Sequence, residues 1–212
     1  MLNLSEIFYS LQGESTYAGF PCIFIRLAEC NLRCNYCDTT YSYETKLTYQ
    51  NQQILEIVKQ FEPIKLIEIT GGEPLLQDEI YNLIELLNEH NYQILLETNG
   101  SISLEKIPSY VTKIVDVKTP GSGEEDSFLL ENLEFIDAKK DEIKFVISDK
   151  KDYNWVKRFI NKYFLLEYKI IFSTASGILN PQKLADWIVA DRLPVKFQLQ
   201  LHKHIWGDEI GV

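Results

Sequence analysis

Cys30, Cys34 and Cys37 stand in the run Cys30-Asn31-Leu32-Arg33-Cys34-Asn35-Tyr36-Cys37, a CxxxCxxC spacing that places three thiolates within one short loop. Structural zinc usually takes four protein ligands. A fourth is hard to supply here, because Cys22 lies on a predicted strand and the only histidines are His90, His202 and His204. Three thiolates suit an iron-sulfur cube whose fourth iron stays open to an outside ligand, with zinc as the alternative. Cys22 reads as a small buried core residue. Four cysteines crowded into residues 22–37 cannot staple distant parts of a fold, and in a cytoplasmic chain they argue for a metal site over disulfides.

Other residues carry weaker signals. Gly71-Gly72-Glu73-Pro74 follows a predicted strand, and paired glycines let backbone groups approach a ligand closely, although a plain tight turn needs the same residues. Gln12 and Glu14 offer an amide and a carboxylate, a donor and acceptor set for the polar edge of a ligand. Surface solvation would explain the same pair. Arg26 sits inside an apolar strand, where an unpaired guanidinium is costly. It needs a two-pronged partner, either a ligand carboxylate or an internal salt bridge to Glu14 or Glu29. Asp38 and Thr39 could give oxygen ligands to Mg2+, or cap a helix. Lys144, in the fifth strand, is a weaker nucleotide-site candidate and could equally snorkel to solvent. His202, with Lys203 and His204, ends the last predicted strand, where a lone histidine is usually structural.

The elements that must position these residues alternate. Strands are predicted at 22–27, 64–70, 93–97, 111–117, 142–148, 168–173 and 195–201, rich in Ile, Val, Phe and Leu. Gln12 and Glu14 then fall on a loop ahead of the first strand. Ile54, Leu55, Ile57, Val58 and Phe61 give one amphipathic helix, and Leu83, Ile84, Leu86 and Leu87 another. Further helices are expected at 129–135, 153–163 and 181–191, the last with Pro181 suited to a first turn. Such alternation makes a parallel sheet, an α/β fold. A closed eight-stranded barrel takes about 250 residues, so 212 residues fit an open partial (β/α) barrel. Residues 1–212 read as a single domain, with 120–126 the most loop-like stretch. Ligands in such folds sit at the C-terminal ends of the strands.

Hydrophobic residues make up 45% and charged residues 25%, which argues against disorder and against a disulfide scaffold. A net charge of −10 makes nucleic acid a poor partner. No apolar stretch reaches the roughly 18 residues of a membrane helix, and a cytoplasmic location is expected. The acidic groups at 124–126 and 131–134 read as solvated.

The cysteine loop with Tyr36 before its last thiol, followed by Gly71-Gly72-Glu73-Pro74, resembles the radical S-adenosylmethionine enzymes. Ser5-Glu6-Ile7-Phe8-Tyr9-Ser10-Leu11-Gln12-Gly13-Glu14-Ser15, Phe24-Ile25-Arg26-Leu27, Cys37-Asp38-Thr39 and Gln200-Leu201-His202-Lys203 narrow the resemblance to the 7-carboxy-7-deazaguanine synthase family, over nearly the whole chain. The resemblance implies a radical SAM partial barrel that converts 6-carboxy-5,6,7,8-tetrahydropterin to 7-carboxy-7-deazaguanine with loss of ammonia, toward queuosine. It implies a [4Fe-4S] cluster on Cys30, Cys34 and Cys37, S-adenosylmethionine as a cofactor that is regenerated, and Mg2+ at Thr39. No residue is assigned as acid or base. Gln12, Gly13, Glu14, Arg26, Thr70 and His202 are implied for substrate. Gly72, Asp116, Val117 and Lys118 are implied for S-adenosylmethionine, although relatives often carry Ser-Pro-Lys where this chain has Asp-Val-Lys. Also implied are a homodimer, a reductase or flavodoxin-type electron donor, and a C-terminal segment that closes the pocket. Roles for Glu97 and Lys144 stay open. The rivals are a glycyl-radical activating protein, which would not need Gln12, Glu14 and Arg26, and a non-catalytic iron-sulfur or zinc module, which would bind no nucleotide.

Overall fold

A computed structural model describes residues 1–207 and 209–212. Its strands are β1 (Leu2–Leu11), β2 (Pro21–Leu27), β3 (Leu47–Tyr49), β4 (Leu66–Gly71), β5 (Gln93–Thr98), β6 (Thr112–Asp116), β7 (Glu142–Ile147), β8 (Lys169–Thr174) and β9 (Lys196–Phe197). Its helices are α1 (Asn51–Val58), α2 (Ile80–Glu89), α3 (Lys150–Lys162), α4 (Pro181–Asp191) and α5 (Leu201–Trp206). The described strands form one sheet in the order β3-β1-β2-β4-β5-β6-β7-β8-β9. From β2 to β9 all neighbours are parallel, while β1 runs antiparallel to both β2 and β3. This is the expected α/β open partial barrel, with an antiparallel flap at one edge.

Parity divides each strand between two environments. Ile23, Ile25, Ile67, Ile69, Ile94, Leu96, Val115, Ile143, Phe145 and Phe172 face the helices and join the main core with Leu55, Val58, Leu83, Leu87, Val156 and Leu184. Alternate residues face the barrel interior, which is itself layered. Cys22, Phe24, Leu66, Leu95 and Ile114 make a small apolar floor, packed against Phe8 and Tyr17. Nearer the C-terminal strand ends the same faces turn polar, at Arg26, Thr70, Glu97, Asp116 and Lys144. Register places Arg26 beside Thr70 and Asp116 beside Lys144. Cys22 is thus a buried core residue, as expected.

Several sequence expectations need correction. β1 is a strand that the sequence reading does not anticipate, while Gln12 and Glu14 lie as expected on the loop between it and β2. Its burial is mixed and its pairing with β2 shifts between Leu4 and Glu6, which blurs any alternation. The strand expected at 195–201 shrinks to Lys196–Phe197, and His202 to His204 lie on α5. The chain leaves the sheet there because the Leu201 N–H donates to Gly13 O at 2.9 Å. The helix expected at 129–135 is a 3-10 helix over Leu130–Phe135, wrapped on Asn132, whose side chain donates to Gly100 O and Ile102 O and accepts from Leu104 N.

Residues 12–17 cross the opening between the two halves of the sheet. Their loop is closed at its base by Gln12 N to Phe20 O and Gly19 N to Gln12 O, each 2.8 Å. On the far side, Ser15 O accepts from Lys196 Nζ and Gln198 Nε2, each at 2.8 Å. The Thr16 N–H donates to Glu142 Oε1 at 2.9 Å, and its hydroxyl bonds the same oxygen. A gap left by the strands is therefore bridged by the segment that carries Gln12 and Glu14.

Candidate functional site

A cavity of about 250 Å³ opens at the C-terminal strand ends and is lined by Cys30, Cys34, Cys37, Gly72, Arg26 and Lys144 among others. The cysteine loop is fastened on both flanks. Asn35 N donates to Ser122 O at 2.9 Å, Arg33 N to Glu124 Oε1 at 2.6 Å, and Asn31 Nδ2 to Ser101 Oγ at 2.8 Å. Glu124, expected to be merely solvated, is thus one of the fasteners. The glycine turn lies directly on the loop. Gly71 has φ +147°, and a Cβ on Gly72 would stand 2.0 Å from Glu29 O and 2.8 Å from Cys30 Cβ, so neither position accepts a side chain. Glu73 clasps the turn from below: it accepts from Leu75 N, Thr98 Oγ1 and Asn99 N at 3.1, 2.8 and 2.7 Å, and burial pushes its carboxyl up.

Among the described residues no three His, Cys, Asp or Glu side chains converge as ligands of one ion. Three thiols that line one cavity wall suit ligands to three irons of a cluster. Burial pushes Cys34 up to about 11, against the pull of Lys118, and pushes Cys30 up as well. A bound cation must reverse this by holding the thiolates deprotonated.

Below the loop lies a charged network. Lys144 Nζ sits 2.5 Å from Glu14 Oε2 and 2.7 Å from Glu97 Oε1. The Thr70 hydroxyl donates to Glu97 Oε2 at 2.9 Å, and Gln200 Nε2 to Glu14 Oε1 at 2.9 Å. Burial alone would raise the Glu97 carboxyl, but the Lys144 ammonium outweighs it and holds the group at about 2. Lys144 does not snorkel; its ammonium is buried and held well above the usual range because Glu14 and Glu97 outweigh desolvation. Glu14 and Gln12 are likewise not solvated. Gln12 Nε2 bonds Glu68 Oε2, and its Oε1 accepts from Glu14 N at 2.9 Å.

Arg26 pairs with neither Glu14 nor Glu29. Its Nε donates to Glu6 Oε1 at 2.8 Å, across the β1 and β2 register, and its guanidinium lies 5.7 Å from the Phe8 ring centre and 5.9 Å from that of Tyr41. Asp38 and Thr39 line the cavity, with the Thr39 hydroxyl 2.8 Å from Asp38 Oδ1. Thr39 precedes a 3-10 turn but its side chain does not cap it. Lys118 Nζ meets Asp116 Oδ2 at 2.8 Å, and the buried Asp116 Oδ1 has no hydrogen-bond partner among the described residues. Val117 differs from its neighbours: its side chain is in the helix-facing core and its N–H is spent on Lys144 O at 2.9 Å. His202 is seated on Gly13, where a Cβ would stand 2.1 Å from Nδ1.

The residues that sequence reading missed are Glu6 and Glu68. Glu68 alternates with Thr70 in Ile67-Glu68-Ile69-Thr70, a carboxylate at a barrel-facing position. That alternation was the available signal.

The radical SAM superfamily model matches residues 25–164. A 7-carboxy-7-deazaguanine synthase of Koribacter versatilis is 44% identical, covering 98% of both chains. The enzyme of that name from Chlorobaculum tepidum is 42% identical over 98% of this chain and 96% of its own. Among solved structures, QueE from Escherichia coli superposes with a TM-score of 0.75 at 22% identity, covering 93% of each chain, which supports the fold alone.

Proposed function

The chain belongs to the radical S-adenosylmethionine superfamily and, within it, to the 7-carboxy-7-deazaguanine synthases, and from that premise we propose which of its residues hold each reactant. The reaction is conversion of 6-carboxy-5,6,7,8-tetrahydropterin to 7-carboxy-7-deazaguanine with loss of ammonia, in queuosine biosynthesis, with a [4Fe-4S] cluster, S-adenosylmethionine and Mg2+. When bound, these groups supply the one-electron chemistry and the hydrogen abstraction that no side chain here can perform.

The protein's share is position, dryness and charge. Cys30, Cys34 and Cys37 would hold the cluster, and the side-chain-free Gly72 would admit the nucleotide beside it. Asp116 Oδ1 and Lys118 would contact the same nucleotide. Val117 could offer it only a carbonyl. Glu6 takes Nε of Arg26, which leaves the two Nη groups as the natural pair for the substrate carboxylate. Gln12, Gly13, Glu14, Thr70 and His202 would surround the ring. Thr39, beside Asp38, would give Mg2+ one oxygen among waters and substrate atoms. The observation that carries this reading is that the thiols, the glycine turn and the carboxylate-binding arginine line one cavity.

This reading treats residues 1–212 as one unit, which the single sheet supports. A homodimer, a flavodoxin-type or reductase electron donor and a cytoplasmic location belong to it as well. No described helix is long and apolar enough to cross a membrane. The test is anaerobic reconstitution followed by assay with the carboxylated pterin, S-adenosylmethionine and reductant. The expected result is about four irons per chain by metal analysis, with deazaguanine formation. Stoichiometric zinc without iron would overturn the cluster assignment.

A further inference from the structure

Glu68 is a buried interior acid that makes no ion pair among the described residues. It lies on β4, is 4% exposed, and lines the cavity between the apolar floor and the polar layer above. Lys144 is already shared between Glu14 and Glu97, and Arg26 is engaged by Glu6. The partner Glu68 does have is Gln12, whose Nε2 bonds its Oε2. At the other end of that amide, Oε1 accepts from the Glu14 N–H at 2.9 Å. The Gln12 side chain is therefore clamped at both ends by protein atoms.

We propose that Glu68 is a positioning residue for the substrate: by holding the Gln12 amide it sets the loop at Gln12 to Glu14, and through it the face offered to the pyrimidine edge of the pterin. The assignment rests on the pterin reading above. Its chemistry is that of a neutral carboxyl. Desolvation and the neighbouring Glu97 carboxylate push Glu68 well above the usual carboxylate range, with Glu14 adding to the push, while Lys144 and Arg26 oppose it. A protonated carboxyl can accept from Gln12 Nε2 while keeping an O–H to donate, and it adds no third negative charge beside Glu14 and Glu97. An ionised Glu68 would leave three carboxylates around a single lysine.

The physical consequence separates substrate capture from nucleotide chemistry. Glu68→Ala frees Gln12 and lets the loop sample other positions, so KM for the pterin should rise about tenfold, the scale of one lost buried hydrogen bond to a neutral partner. Cleavage of S-adenosylmethionine by reductant without pterin should stay at the wild-type rate, because the cysteine loop and glycine turn are untouched. Glu68→Gln keeps a neutral acceptor of the same length for Gln12 and should bring KM back to within about threefold of wild type. Thermal melts of all three proteins report whether they are folded.

Two outcomes would overturn the assignment. One is an unchanged pterin KM in folded Glu68→Ala. The other is a Glu68→Gln variant with normal KM and a collapsed kcat, which would make Glu68 a proton-transferring residue. Failure of the wild-type protein itself to bind or turn over the pterin, with normal S-adenosylmethionine cleavage, would instead remove the substrate reading on which the proposal stands.

Discussion

Lys144 shows how much one side chain carries at this depth. Its ammonium holds two carboxylates from different strands and loops, so Lys144→Met leaves both uncompensated. Breaking a buried ion pair from one side commonly costs about 3–5 kcal/mol. The expected result is a large drop in melting temperature together with a rise in the Glu97 titration. The sign with pH follows from Glu97 itself. Its carboxyl is depressed from 4.5 to about 2 in the folded chain. Its contribution to stability is therefore present above about 4.5 and is lost as pH falls toward 2. Urea midpoints taken from pH 6 down to about 2 should draw together for wild type and Glu97→Gln as the pH falls below about 4.5; parallel curves would contradict the pairing. Arg26 offers a different contrast. Arg26→Lys keeps the charge near Glu6 but loses the planar fork, and should raise KM for the carboxylated pterin more than tenfold, given the roughly 2–5 kcal/mol at stake in a buried charge pair. Removal of the carboxylate from the pterin should erase the difference between the two proteins. An internal salt bridge alone predicts a lower melting temperature with unaltered KM.

Among the elements, α5 is the one whose placement depends on an absence. Gly13 has no side chain, and His202 occupies the space where one would be. Gly13→Ala should push α5 away and weaken the Leu201 to Gly13 and Gln200 to Glu14 hydrogen bonds. The measurable result is a higher KM for pterin, with S-adenosylmethionine cleavage and melting temperature close to wild type. Loss of cleavage as well would show that α5 also supports the cluster end of the cavity. The same region marks the limit of what the sequence makes legible. β4 to β8 can be read from their apolar runs because parallel strands between helices and a filled barrel are buried on both faces. β1 is antiparallel with one side partly open, and α5 forms where a strand-like run is diverted by a contact with residue 13. Neither cause is local. Lys144 and Glu68 are opaque for the same reason: a charged residue in an apolar strand announces a partner but not which one, and the partners here are Gln12 and Glu14 on the loop after β1 and Glu97 on β5. The cysteine spacing and the glycine turn are legible because their chemistry fixes their spacing.

Across the whole molecule, residues 12–17 do the work that missing strands would do in a closed barrel. The carboxylate of Glu142 captures this segment through the Thr16 N–H and hydroxyl, while Lys196 and Gln198 hold Ser15 O. Glu142→Ala should release one of these anchors. Limited proteolysis should then cut between residues 12 and 20 faster than in wild type, and bound substrate should slow the cut. Equal cleavage rates in both proteins would mean that β9 alone secures the loop.

The hydrogen bond between Gln200 and Glu14 joins residues 186 apart in the chain. The cysteine loop's partners reach as far as Val146, whose carbonyl accepts from the Tyr36 hydroxyl. During synthesis the two halves of the cavity therefore mature at different times. The thiol end can assemble while the ribosome is still translating the later strands, whereas the substrate end waits until residues 200–202 have emerged. The contacts that complete the substrate end thus span more of the chain than those that fasten the thiol end.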